Sequence, residues 1–248
     1  MKYNSISSGP AQLLLLVIAG ALLLGLGIWF GKGHDRPHVK VADEYPGATV
    51  LEIPVPLMHF QLTDHNGNPF TPSSLTRKWT FMFFGYTHCP DVCPTALVDM
   101  NSIYQNLAAK DDLTEKKFGV DTQFVFITVD PERDTVRELK EYVPFFNEHF
   151  IGLTGDADMI ESIARPLGIA YRRVPGKEPE KDYLVDHSAS ILLVDPLGRM
   201  RAVFSPPHDA KIIAEDFRKV RGKYTEECCI SGDEKFETVI FDYRKEKK

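Results

Sequence analysis

Residues 79–94 have the sequence WTFMFFGYTHCPDVCP, in which an apolar run is followed by two cysteines. The run predicts a buried strand over Thr80–Tyr86, and the apolar spacing that follows predicts a helix over Pro94–Ala108. Cys89 and Cys93 are therefore predicted to lie at a strand-to-helix turn, where the amides of a helix N-terminus favour the thiolate over the thiol. Such a turn suits either a redox disulfide or two ligands for a soft metal.

The rest of the chain alternates between strands and helices in the same way. Further strands are predicted at Gln123–Val129, Ile151–Leu153, Ser190–Val194 and Met200–Phe204, and further helices at Thr135–Phe145, Asp156–Leu167 and Asp209–Arg221. Two runs near the start, Val50–Ile53 and Phe60–Leu62, precede the turn sequence Asp64-His65-Asn66-Gly67 and predict an N-terminal β-hairpin extension. This order indicates an α/β, thioredoxin-like sheet that ends in an antiparallel pair of strands.

A histidine, His187, precedes the predicted strand Ser190–Val194, where thioredoxin-type enzymes place a cis-proline. In that arrangement the turn before this strand packs against the cysteine turn, so we expect the imidazole to face Cys89 and Cys93. Thiolates select Cu(I), whereas imidazole also suits Cu(II) and zinc. Because a closed zinc site takes four protein ligands, three ligands suit a metal that is accepted and passed on. The alternative is a core histidine that is bonded to a carbonyl.

Some neighbouring residues are predicted to support this site. Asp186 is a candidate acceptor for the imidazole of His187, which would place it in the second shell of the metal. His88 is a candidate ligand or a residue that promotes thiolate formation, and its alternative role is that of a solvent-facing turn residue. Asp130 or Asp134 is predicted to cap the following helix, which makes this segment mainly structural, with a role in shaping the rim of the site.

Several motifs together resemble the signature of the Sco/SenC family of copper proteins. The matching segments are Phe84–Pro94, Thr128–Thr135, Gly152–Gly155 and Tyr183–Ser188, and they occur in order between Val50 and Arg221. The resemblance implies a thioredoxin-like fold and one copper ion held by Cys89, Cys93 and His187. It also implies a role in assembly of the binuclear copper centre of cytochrome c oxidase.

Cys228 and Cys229 depart from that family motif. We interpret them as tail residues without a specific structural or metal-binding role. The alternatives are a vicinal disulfide, a disulfide between two chains and a second metal site.

The leading hypothesis is a copper chaperone rather than an enzyme. It would carry Cu(I), Cu(II) or both to a copper-accepting subunit of the oxidase. Its other expected partner is a periplasmic copper donor, which would load the site, or a thiol reductant, which would reduce the two cysteines. Oxidation to a Cys89–Cys93 disulfide would release or block the metal. The alternative is a thiol–disulfide reductase that keeps the copper-ligand cysteines of the oxidase reduced. A peroxidase is disfavoured because the Pro-x-x-x-Thr-x-x-Cys motif is missing from the sequence.

An uncharged apolar run, Leu13–Phe30, is long enough to span a bilayer and predicts a single transmembrane helix. The alternative is a signal peptide with a cleavage site near Gly25-Leu26-Gly27. The expected domains are an N-terminal tail (1–12), the anchor (13–31), a linker (32–47), the copper-binding domain (48–224) and a charged tail (225–248).

The charge and the cysteine content restrict the location and the partners. The chain has 29 Lys and Arg against 35 Asp and Glu, a net charge of −6, which argues against nucleic acid as a partner. A disulfide-capable domain on a single anchor predicts the bacterial inner membrane, with the main domain in the periplasm; the mitochondrial intermembrane space is the alternative.

Overall fold

The computed structural model describes residues 44–57, 59–110, 113–115, 120–175 and 183–229. The predicted N-terminal tail and anchor lie outside these ranges, as do most of the linker and the tail beyond Cys229. Within the described ranges, none of the helices combines the length and the apolar character that a membrane crossing needs.

The strands of the described residues form one large sheet and one separate hairpin. The strands are β1 (Thr49–Pro56), β2 (Leu62–Asp64), β3 (Pro69–Phe70), β4 (Lys78–Gly85), β5 (Thr114–Glu115), β6 (Val120–Thr128), β7 (Phe150–Thr154), β8 (Tyr171–Pro175), β9 (Tyr183–His187), β10 (Ile191–Val194) and β11 (Arg199–Phe204). The large sheet has the order β1-β11-β10-β4-β6-β7-β2-β3, with β5 added beside β6. β8 and β9 pair with each other as the separate hairpin.

The four α-helices of the described residues cover this sheet. They are α1 (Val92–Ala108), α2 (Val136–Phe146), α3 (Ala157–Ala164) and α4 (Ala210–Cys229). α1 packs against α4, and α2 packs against β7. The fit of α2 is close, because a Cβ atom on Gly152 of β7 would lie 2.8 Å from the side chain of Val143.

The centre of the sheet is buried and mostly apolar. β4 pairs in parallel with β6 and antiparallel with β10. Its residues from Trp79 to Gly85 are all buried, as expected for a central strand of an α/β sheet. The ring of Phe81 lies between those of Phe124, Phe204 and Phe217, with centroids 4.8, 6.0 and 5.2 Å away.

The α/β, thioredoxin-like arrangement predicted from the sequence is confirmed. The N-terminal extension differs in its pairing, because β1 joins β11 at one edge of the sheet while β2 joins β7 at the other. The predicted turn at 64–67 connects β2 to β3, and these two strands form the hairpin. The two N-terminal runs therefore do not pair with each other.

Two further elements differ from the sequence-based expectation. His187 ends a strand, β9, rather than lying in a turn. Both strands of the β8–β9 hairpin are short and partly exposed, so they carry a weak apolar signal in the sequence. The last helix continues from the predicted end at Arg221 to Cys229, so the predicted tail begins as helix.

Candidate metal centre

The two cysteines lie where β4 turns into α1. Cys89 is half-buried in the connecting turn, and Cys93 lies in the first turn of α1 with its side chain fully buried. Both are free thiols. The amide of Cys93 lies 3.4 Å from the Cys89 Sγ, and the amide of Tyr86 lies 3.4 Å from the Cys93 Sγ. Each sulfur is therefore placed to accept a hydrogen bond from the backbone of this turn.

Gly85 is required for the position of the Cys93 sulfur. A Cβ atom at this position would lie 2.8 Å from the Cys93 Sγ and 2.9 Å from the rings of Phe83 and Phe126. A real Cβ atom does not approach so closely without displacing its neighbours. The last residue of β4 must therefore lack a side chain for the thiol to lie against the strand.

His187 brings a nitrogen to the two sulfurs from the end of β9. Its Nε2 lies 3.1 Å from the Cys93 Sγ, and the three potential ligand atoms lie within 4.8 Å of one another. Its Nδ1 lies 3.0 Å from the carbonyl oxygen of Ser188, so the Nδ1–H donates to that carbonyl. This assigns the free lone pair to Nε2, which faces the sulfurs.

Two aromatic rings hold the imidazole between β4 and the cysteine turn. The rings of Phe83 and Tyr86 meet the ring of His187 edge to face, with centroids 5.9 and 5.8 Å away. These contacts restrict rotation of the imidazole and remove it from water on two sides.

Burial determines the protonation of this site. Desolvation raises the pKa of the Cys93 thiol strongly, although the Tyr86 amide acts in the opposite direction. The expectation that the helix N-terminus favours a thiolate is therefore wrong for Cys93, because the desolvation cost exceeds the effect of the helix. Desolvation also lowers the pKa of His187, which keeps the imidazole neutral and able to bind a metal. A soft cation would replace the thiol proton and remove the cost of a buried thiolate.

The donor set matches copper better than a hard cation. Two thiol sulfurs and one imidazole nitrogen are soft to intermediate ligands, which Cu(I) and Cu(II) accept. Cys89, Cys93 and His187 form the one group of this kind among the described residues. The three ligands proposed from the sequence are thus brought together by the fold.

Asp186 does not hold the position predicted for it, since the imidazole of His187 bonds to the carbonyl of Ser188 instead. Adjacent residues of a strand point to opposite faces, so the side chain of Asp186 points away from the imidazole. Its carboxylate lies 3.4 Å from the guanidinium of Arg172, and both side chains are exposed. The carbonyl of Ser188 takes the place predicted for this carboxylate.

His88 lies beside the cysteines in sequence but faces other partners. Its Nδ1 lies 3.0 Å from the Thr87 Oγ1 and 3.6 Å from the Asp134 Oδ1, and about half of its side chain is exposed. This position fits the alternative of a turn residue on the surface rather than that of a ligand.

Sequence reasoning gave the wrong role to Asp130 and Asp134. The cap of α2 is Thr135, whose hydroxyl accepts a hydrogen bond from the amide of Glu138. Asp134 is completely buried and accepts hydrogen bonds from the amide of Thr87 at 2.8 Å and from its hydroxyl at 2.6 Å. The available signal was Asp130, directly after the predicted strand Gln123–Val129, since a carboxylate there can be buried as easily as it can cap.

Comparisons with known proteins identify relatives of this chain. The SCO1/SenC family profile matches residues 55–222. The mitochondrial protein SCO1 homolog 1 of Arabidopsis thaliana is 39% identical over 228 residues, which are 89% of this chain and 64% of that protein. A putative copper-binding protein of Stutzerimonas stutzeri is 38% identical over 162 residues, 64% of this chain and 75% of that one.

A solved structure extends the comparison to three dimensions. The crystal structure of Arabidopsis thaliana ScoI with copper bound has a TM-score of 0.58 and 36% identity, and the match covers 66% of this chain and 97% of that one. The chain spans just under two thirds of the length of its Arabidopsis sequence relative. The matched profile, these identities and the shared fold show that this chain belongs to the SCO1/SenC family.

Proposed function

We propose that this protein binds one copper ion through Cys89, Cys93 and His187. It delivers that ion to a copper-accepting subunit of cytochrome c oxidase, for assembly of the binuclear copper centre. The observation that carries the proposal is the grouping of two free thiols and one imidazole within 4.8 Å. Relatives that bind copper support it, among them ScoI of Arabidopsis thaliana.

The positions of the ligands suit uptake and release. Cys93 is buried and held by the Tyr86 amide, whereas Cys89 lies nearer to solvent. An incoming ligand from a partner therefore meets the ion on the side of Cys89, and three protein ligands leave room for a fourth. Binding releases the proton of the Cys93 thiol, and release of the ion returns it. Oxidation of both thiols to a disulfide would remove two ligands at once, so loading requires the reduced pair.

The location belongs to the same proposal. The uncharged run Leu13–Phe30 supports a single membrane anchor, with the copper-binding domain on the periplasmic side of a bacterial inner membrane. That compartment permits a reversible disulfide, so a copper donor or a thiol reductant would have to load or reduce the site there.

A thiol–disulfide reductase is the second candidate function. The observation that favours it is the half-buried thiol of Cys89, which lies beside the amide of Cys93 at the start of a helix. In this role Cys89 attacks the substrate disulfide and Cys93 resolves the mixed disulfide. The high pKa of Cys93 slows the second step, since few thiolates are present at neutral pH.

The test is a Cu(I) titration of the reduced full chain against a chromophoric chelator. The parent protein is expected to bind one equivalent. His187→Ala is expected to lower the affinity more than tenfold, because loss of a partner behind a metal ligand already costs about 10- to 100-fold. His149→Ala, an exposed histidine outside the site, is the control and should leave the affinity unchanged.

Two results would contradict the proposal. One is a His187→Ala variant that binds Cu(I) as tightly as the parent. The other is a halved copper uptake in the Cys228→Ser/Cys229→Ser variant, which would assign part of the copper to that pair.

A further inference from the structure

The histidine and the cysteines of the site lie on separate parts of the fold. Cys89 and Cys93 follow β4, which is the centre of the large sheet. His187 lies on the β8–β9 hairpin, which is not hydrogen-bonded into that sheet within the described residues. The ladder of the large sheet therefore does not set the distance between the imidazole and the sulfurs, and other contacts must do so.

A buried carboxylate contacts the start of the strand that carries His187. Asp130 is completely buried, and its Oδ1 accepts a hydrogen bond of 2.7 Å from the hydroxyl of Tyr183, the first residue of β9. Desolvation, together with this bond, raises the pKa of Tyr183 to about 12, so the hydroxyl stays protonated and remains a donor. A tyrosine bonded to a buried carboxylate is a strong anchor, because leaving either group unpaired in the interior is costly.

Arg133 completes this anchor. Its Nε donates to the carboxylate of Asp130, and one Nη donates to the carbonyl oxygen of Tyr183 at 3.1 Å. Its guanidinium carbon lies 3.6 Å from the centre of the Tyr183 ring. One side chain therefore contacts the backbone, the ring and the hydroxyl partner of the same residue, as a planar guanidinium can.

The same arginine reaches towards the imidazole through an aromatic neighbour. Its guanidinium carbon lies 5.7 Å from the centre of the Tyr86 ring, and that ring meets the ring of His187 edge to face. Arg173 of β8 also contacts Tyr183, with its guanidinium carbon 4.8 Å from the centre of that ring. One guanidinium nitrogen of Arg173 lies 2.8 Å from the carboxylate of Glu132. Both strands of the hairpin are thus attached to residues 130–133.

The cysteine turn is attached to the end of the same short segment. Asp134 accepts hydrogen bonds from the amide and the hydroxyl of Thr87, two residues before Cys89. It also accepts one of 2.6 Å from the hydroxyl of Thr128, the last residue of β6. Segment 130–134 therefore contacts the histidine side of the site through one buried carboxylate and the cysteine side through another.

We propose that Asp130, Arg133 and Tyr183 are positioning residues that place His187 within bonding distance of a copper ion held by the two cysteines. The inference rests on the proposed function and deepens it. Tyr183, Val185 and His187 point to one face of β9, because side chains alternate along a strand. A shift of Tyr183 on Asp130 is transmitted along the three intervening residues of β9 to the imidazole, and the sulfurs stay in place because Asp134 holds their turn.

The test compares Tyr183→Phe with His187→Ala, alone and combined, in the reduced full chain. Tyr183→Phe removes one hydroxyl and keeps the ring under Arg133. It is expected to lower the Cu(I) affinity about tenfold, as loss of a partner behind a metal ligand typically does. The combined variant should bind no more weakly than His187→Ala alone, since the hydroxyl acts through the imidazole. In Cu(II)-loaded protein, the imidazole nitrogen coupling seen by electron paramagnetic resonance should weaken or vanish.

Two further variants separate positioning from general destabilisation. Tyr171→Phe removes a hydroxyl from the same hairpin, but one that is bonded to Glu161 rather than to Asp130, and should leave the nitrogen coupling intact. Asp130→Asn should reproduce the loss seen in Tyr183→Phe. If circular dichroism shows that Tyr183→Phe is poorly folded, the affinity and nitrogen coupling of Asp130→Asn test the inference instead.

The outcomes distinguish this inference from the function on which it rests. The positioning role would be overturned if Tyr183→Phe lowered the Cu(I) affinity equally in the parent and in the His187→Ala variant. It would also be overturned if the nitrogen coupling were unchanged in both Tyr183→Phe and Asp130→Asn. A parent protein that binds copper without a nitrogen ligand would overturn the proposed function, and the inference with it.

Discussion

At the scale of the residue, Cys93 shows how a buried group is prepared for a metal. Its sulfur accepts a hydrogen bond from the Tyr86 amide and faces the Nε2 of His187. It also lies against Gly85, where a side chain would not fit. Burial makes the thiolate costly and the imidazole neutral. The neutral imidazole offers its lone pair to a soft cation without first losing a proton, and a cation that displaces the thiol proton neutralises the negative charge of the buried thiolate.

The depressed pKa of His187 predicts a pH dependence of the metal-free protein. The unfolded chain takes up a proton at this histidine near its ordinary pKa of about 6.5, whereas the folded chain resists it. The unfolded state thus binds more protons as the pH falls through that region, and the free energy of unfolding should decrease. Urea denaturation of the apo-protein from pH 7.5 to 5.5 measures this.

The matched variant for that measurement is His187→Gln, which keeps a polar side chain without a titrating group. Its stability should change less over the same pH range. A residual slope is expected from His65, whose pKa is also lowered by burial. Identical slopes for the parent and the variant would show that His187 titrates equally in the folded and unfolded states.

At the scale of the elements, a short segment after β6 organises loops that are distant in sequence. Asp134 joins the cysteine turn to β6, and Asp130 joins the β8–β9 hairpin to the same place. Buried carboxylates that accept several hydrogen bonds act as fixed junctions, because leaving such a group unpaired in the interior is costly.

Asp134→Asn is predicted to loosen the cysteine turn. The carboxylate accepts three hydrogen bonds, and an amide presents one acceptor oxygen and a competing donor to the same groups. We expect a loss of about 2 kcal/mol in the free energy of unfolding, the size of a lost hydrogen bond to a charged group. Asp134→Asn should also lower the copper affinity by a similar factor whether His187 is present or replaced by alanine, because the cysteines themselves move.

The control for this variant is Asp158→Asn, an exposed carboxylate in α3. Chemical denaturation and Cu(I) competition applied to both variants check the prediction. An Asp134→Asn protein as stable as the Asp158→Asn protein would mean that the turn does not depend on the buried charge.

At the scale of the whole molecule, a stack of aromatic rings supports the sheet beneath the site. Phe81 on β4 contacts rings from β6, β11 and α4, and it lies four residues before Gly85. The strand that ends at the metal centre is therefore held in place by the core rather than by the site residues. Close packing of this kind transmits changes in volume to neighbouring elements.

Phe81→Ala should destabilise the fold by roughly 3–5 kcal/mol through loss of burial and creation of a cavity. Phe145→Ala serves as the matched control, because its ring on α2 is 83% exposed. Its effect should stay within about 0.5 kcal/mol. Guanidinium denaturation of both variants measures the difference, and a small effect of Phe81→Ala would show that the core refills the space.

The chain's local patterns were sufficient for much of the fold. The apolar run before Cys89 and the helical spacing after Cys93 predicted β4 and α1 within a few residues, since period and burial are encoded by neighbouring residues. The β8–β9 hairpin was missed because its strands are short and half exposed. Pairing at the sheet edges was also missed, because β1 and β2 select partners far along the chain.

By itself, the sequence determined the order of the central strands and of the helices, the two thiols at a strand-to-helix turn, and a histidine candidate before β10. The tertiary structure decided that the His187 Nε2 lies 3.1 Å from a sulfur 94 residues away. It also decided that Ser188 rather than Asp186 orients the ring, and that Asp130 and Asp134 are buried junctions rather than helix caps. The physical reason is common to all three. Periodicity and turn chemistry act over a few neighbouring residues, whereas the partners of a buried polar group are chosen by whichever distant segments the packed core brings against it.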